Sequence, residues 1–151
     1  MCGLQLKVCK MFQQDYILRQ IQEIIQVIAR IIGLREEGSY EEARSHIETA
    51  LLGVWNVHRK DLIDLSEEQL KELCIVEGAF HTQFAIALTD LLKEDGAIYE
   101  EEGKFFHAGE SYKQARVIKT LVLSMSNEIP FDIYDRIADL DEAIKRNEAE
   151  V

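Results

Sequence analysis

An all-α architecture is written into this chain by three features. Helix breakers are scarce, with one proline, Pro130, and eight glycines in 151 residues. Apolar residues recur three and four positions apart through most of the chain, as on helix faces. No segment alternates apolar and polar residues as a half-buried strand must. Apolar residues make up 47% of the chain and charged residues 30%, a balance that suits one globular domain with a real core.

A first helix is expected from Phe12 to Arg35. There Ile17, Leu18, Ile21, Ile24, Ile25, Ile28, Ile31 and Ile32 form one broad apolar face. Val27 and Leu34 widen it, so it can bury against more than one neighbour. Arg19, Glu23 and Arg30 interrupt the same stretch and exclude a membrane-spanning helix. Residues 1–10 fall outside the periodicity and read as a flexible N-terminal extension to a single domain of residues 11–151. Gly38 breaks the first helix and Ser39 can cap a second, Tyr40 to Val54, with Ala43, Ile47, Ala50 and Leu51 inward.

Asn56 to Leu65 has little periodicity and reads as a connector. Ser66, followed by Glu67 and Glu68, opens a third helix to about Glu77, because an acceptor cap and first-turn acids both favour a helix start. Gly78 marks a break before a long helix from Ala79 to Glu102, which Gly103 ends. A fifth helix spans Phe105 to Ser126, Asn127 to Pro130 make a turn, and a last helix runs from Phe131 to Asn147. The sum is about six helices and no sheet.

Two segments align without gaps, Gly38 to Ala50 and Gly103 to Ala115. Glycine meets glycine, Tyr40 meets Phe105, Ala43 meets Ala108, Ile47 meets Tyr112 and Ala50 meets Ala115. Each position has a physical task. The glycine allows the left-handed turn that closes a helix. The aromatic plugs the base of the hairpin, and the first alanine lets two helices approach closely. The second segment extends back into the preceding helix through Leu92, Gly96 and Tyr99.

This pattern resembles a tetratricopeptide repeat. The likeness departs at Asp95, where a large apolar residue is usual, and at Thr120, where proline is usual. In the first copy Ile31 replaces the glycine and Arg30 the leucine. The resemblance implies two helical hairpins in an α-α superhelix or bundle, with a helical insert between them and a C-terminal capping helix. It also implies a groove that holds a peptide or helix. By register the groove positions are Ile25, Ile28, Ile32 and Arg35 in the first copy, and Asp90, Lys93, Ala97 and Glu100 in the second. Over the whole chain, Met11 to Ile17, Leu65 to Leu70 and Tyr99 to Gly103 also resemble a family of small bacterial tetratricopeptide-like proteins of uncharacterised function. That likeness implies a bacterial, cytoplasmic setting.

The formal net charge is −11. That argues against nucleic acid and against an anionic membrane surface, both of which attract basic faces. Three cysteines, Cys2, Cys9 and Cys74, are too few and too odd in number for a disulfide framework, and suit a reducing compartment. Glu100 to Glu102 close a helix where the dipole disfavours acids. The run reads either as a solvated face or as an acidic rim for a basic partner.

Motifs for catalysis or cofactor binding are lacking: no phosphate-cradling loop, nucleophile elbow or HExxH occurs. Cys74, Glu77 and His81 would share one side of a continuous helix, but Gly78 lies between the last two. His46, His58 and His107 read as ordinary polar positions. The expectation is therefore a non-catalytic scaffold that binds another protein or peptide, without cofactor or metal. A second expectation is a homo-oligomer that self-associates through the Ile17–Leu34 helix. A third is a small metal- or thiol-dependent enzyme using Cys74, Glu77 and His81.

Overall fold

A computed structural model describes the backbone of residues 2–151 and the side chains from residue 15 onward. The chain is all-α. The described residues form seven α-helices: α1 (Cys2–Glu36), α2 (Tyr40–Ala50), α3 (Arg59–Leu62), α4 (Glu67–Leu73), α5 (Thr82–Glu101), α6 (Phe105–Met125) and α7 (Ile133–Glu148). A π-helical turn, Leu51–Trp55, prolongs α2. The first helix begins at Cys2 rather than Phe12. The side-chain packing of the expected extension, residues 1–10, lies outside the described residues.

α1 and α2 form one hairpin, α5 and α6 the other, and both helices of the first pack on α5. The two hairpins close alike. Gly38 and Gly103 stand at φ 80° and 77°. Ser39 N–H donates to the Leu34 carbonyl, and Lys104 N–H to that of Tyr99, each across the turn. These bonds satisfy carbonyls that a helix end would leave bare, and only glycine takes the required φ without strain.

Of the four repeat alanines, Ala50 is half-buried. Ala43, Ala108 and Ala115 are wholly buried. Between α5 and α6, a Cβ added at Gly96 would sit 2.8 Å from Cε1 of Tyr112. The core around them holds Ile31, Ile47, Leu51, Leu88, Leu91, Leu92, Ile98 and Ile118, all fully buried. Burying one such side chain contributes about 1.5–3 kcal/mol. α7 packs on α6.

Residues 56–81 differ from expectation in two places. The connector holds the short helix α3, because Glu48 reaches from α2 to accept the Arg59 N–H at 3.1 Å and pairs with His58 Nδ1 at 2.7 Å. The third helix stops at Leu73 instead of Glu77. Ser66 and Gln69 start it with a reciprocal capping box. Beyond it, Ile75–Val76 and Ala79–Phe80 pair as a small antiparallel hairpin. Glu77 and Gly78, at φ 53° and 80°, form the turn. Two consecutive left-handed residues are what a tight hairpin demands, so the expected absence of any sheet is corrected here. The insert is tied down by Gln114 on α6, which donates to the Leu62 and Leu65 carbonyls at 2.8 and 3.0 Å.

Candidate functional site

The expected groove is divided by this packing. In its first half Ile25 is exposed, while Ile28 and Ile32 are half-buried. Arg35 turns to α5, donating to Glu94 at 3.0 Å and Glu101 at 2.6 Å. Two positions of the second half, Asp90 and Glu100, meet α7. Arg146 donates to Glu100 through two nitrogens at 2.9 Å each, and Asn147 Nδ2 joins them at 2.5 Å. Asp90 faces Arg136 of α7 at 3.9 Å. Lys93 remains exposed and Ala97 half-buried. The eight positions therefore do not form one open groove.

The acidic run is neither a solvated face nor a free rim. Glu100 pairs with α7, Glu101 with Arg35 of α1, and Glu102 with Arg44 of α2. Three cations from three helices converge on one helix end, offsetting the unfavourable dipole. Burial opposes the ionisation of Glu100, but the hydrogen bonds from Arg146 and Asn147 outweigh it and hold the carboxyl below its ordinary value. A carboxylate with a lowered folded pKa adds stability above its unfolded value, 4.5, and loses it as pH falls through the folded value. Glu100→Gln is expected to cost about 1–2 kcal/mol at neutral pH, since Arg146 is partly solvated. That cost should shrink in acid, as urea midpoints of both proteins at about pH 7 and pH 3 would show.

Asp95, the departure from the repeat, is 2% exposed. Arg59 Nε donates to it at 2.9 Å, and the Ser111 hydroxyl donates to the same oxygen. Arg59 Nη2 also reaches the Ser111 hydroxyl and the His107 carbonyl, at 3.0 and 3.2 Å. The guanidinium lies 4.5 Å from the centre of the Tyr99 ring, a favourable cation–π distance. Burial pushes the Asp95 carboxyl up, and Arg59 and Ser111 pull it back. The insert thus supplies an arginine that neutralises a carboxylate inside the second hairpin.

Cys74, Glu77 and His81 do not share a helix face, because the small hairpin separates them. Cys74 is buried, which pushes its thiol up to about 12 and leaves little thiolate for attack. His81 caps α5, its Nδ1 accepting the Phe84 N–H at 3.1 Å. Among the described residues no group of three or more His, Cys, Asp or Glu is placed to hold a metal ion.

Two features stand out that the sequence reading did not single out. At one end of the molecule, two hollows of about 400 and 560 Å³ meet at Phe80. Ile17, Leu18 and Val76 line the first; Ile86, Met125 and Ile129 line the second. Phe131, which follows Pro130 of the second lining, is 100% exposed, and Tyr134 is 70% exposed. Thr82, Gln83, Asn127 and Glu128 share the lining of the second hollow with Ile86, Met125 and Ile129. Ile129-Pro130-Phe131 in a turn was its one sequence signal, since apolar residues outside a helix register have no core to enter. The second feature is a cavity of about 290 Å³ among α5, α6 and α7, lined by Lys119, Arg136 and Tyr112 among others.

Fold and surface together define an all-α protein of two packed helical hairpins with a capping helix, and no helix of the described residues is long and apolar enough to cross a membrane. The chain belongs to the Family of unknown function (DUF6483), whose family model matches residues 11–150. No curated protein and no solved structure matches the chain.

Proposed function

We propose that the chain is a non-catalytic scaffold of tetratricopeptide-like hairpins that binds a helix or peptide of another protein. The observation that carries this reading is the apolar end, where Phe80 joins the two hollows and Phe131 stands fully exposed. The occupant is an apolar segment flanked by basic residues. Glu77 lines one hollow and Glu128 the other, and the chain as a whole carries a charge of −11, so basic flanks are steered toward it. The sparse cysteines support a cytoplasmic setting, and the resemblance noted from the sequence supports a bacterial one.

The test is capture from a lysate after mild crosslinking, run with the native protein and two variants side by side. A partner lost with the double variant Ile129→Asp, Phe131→Asp but kept with Lys93→Ala supports the apolar end. A partner lost with Lys93→Ala alone returns the site to the expected groove and overturns this placement. A second reading is the homo-oligomer, favoured by Leu18 and Ile25, which are 50% and 59% exposed one heptad apart on α1. Most of the remaining Ile17–Leu34 face is spent inside the chain, with Ile21, Ile24 and Ile31 buried. Light scattering that shows a dimer, abolished by Ile25→Asp, favours this second reading.

A further inference from the structure

The cavity among α5, α6 and α7 is not used by that reading. Lys119 lines it and is only 4% exposed. A lysine buried so deeply ordinarily has a carboxylate beside it. Among the described residues no ion pair within 4.0 Å reaches its amine. Asp90, the carboxylate that acts on it most, faces Arg136 instead, at 3.9 Å. Burial lowers the pKa of the amine, which marks the cost of holding that charge without a close counter-ion.

The other cations around the cavity are paired or exposed. Lys93, Lys119, Arg136 and Arg146 line the cavity with Asp90, Asp139 and Glu142, and Asp132 and Glu100 hold Arg136 and Arg146 at 2.6 and 2.9 Å. Of the two lining cations without an ion pair among the described residues, Lys93 is exposed and Lys119 buried. Tyr112, Leu140 and Ala143 complete the lining with apolar surface. The volume, about 290 Å³, lies at the small end of ligand sites.

We propose that this cavity binds a small oxyanion, a carboxylate or a phosphate, which pairs with the buried Lys119 amine and with Arg136 at the rim. The ligand would bridge α6 to α7 and place a counter-charge directly on the Lys119 amine. Charge-assisted hydrogen bonds in a partly desolvated site are the strong ones.

The experiment is an amide-shift titration by NMR on the full chain. One arm uses sodium phosphate and the other sodium succinate, each against sodium chloride at matched ionic strength. Saturable shifts around Thr89, Lys119 and Leu140 are expected with at least one oxyanion and not with chloride. The arm that saturates first tells phosphate from carboxylate. Lys119→Met should weaken binding about tenfold or more, and Arg136→Gln, at an exposed site, severalfold. Lys60→Gln, outside the cavity, should leave it unchanged. If Lys119→Met does not fold, Arg136→Gln and the shift of the Lys119 amine nitrogen in the native chain decide. Shifts that chloride reproduces, no saturation with either oxyanion, or equal affinity in the Lys119 and Arg136 variants would overturn the proposal.

Discussion

Asp95→Ala is expected to destabilise the fold by about 3–5 kcal/mol, read as a lower urea midpoint at unchanged slope. The cost does not come from a lost attraction alone. The Asp95 side chain is 3% exposed and that of Arg59 16%, so removing the carboxylate strands a guanidinium in a place where water reaches it poorly. Ser111 and the Tyr99 ring remain, but neither carries a counter-charge. The double variant Arg59→Met, Asp95→Leu separates this account from simple loss of packing. It places an apolar residue where the repeat pattern has one and removes both charges together. Buried pairs replaced in that way are often neutral or more stable, so the double variant should lie within about 1 kcal/mol of the native protein or above it. A double variant as unstable as Asp95→Ala would mean that the pair organises α3 against the hairpin rather than merely neutralising itself.

Ala108→Leu is expected to cost about 1–3 kcal/mol through overpacking. Ala108 is wholly buried on α6, and α6 packs on α5. One turn further on, Tyr112 lies against Gly96 so closely that even a methyl group there would collide at 2.8 Å. The helices are therefore pinned together beside Ala108 and cannot part to admit three more carbons. Ala108→Gly removes a methyl without crowding and should cost only about 1 kcal/mol, from helix propensity. Equal midpoints for Ala108→Leu and the native chain would place Ala108 away from the α5–α6 contact.

Much of the fold was legible because its signals are local. Gly38 and Gly103 announce left-handed helix ends, and the residues after them repeat in step. The isoleucines of α1 and the leucines of α5 mark their buried faces by spacing alone. The helix following Ser66 was legible from its cap. Glu77-Gly78 was read as a helix break, whereas its geometry is that of a hairpin turn. That short apolar stretch offered too few residues for periodicity to choose between helix and strand.

The sites were less legible, since they depend on which helix ends meet. Glu100, Glu101 and Glu102 look alike in sequence, yet each is claimed by an arginine from a different helix. Asp95 looked like a flaw in the repeat until Arg59, thirty-six positions away, was placed on it. Lys119 is an unremarked lysine until α7 and α5 close around it. Composition and periodicity set the helices and the glycine ends of the two hairpins, because those follow from backbone conformation and from which face is apolar. Charge pairing, the meeting of Asp90 and Glu100 with α7, the buried lysine and the open apolar end were decided by tertiary packing alone, because Coulomb attraction and burial depend on distance in space and carry no fixed spacing along the chain.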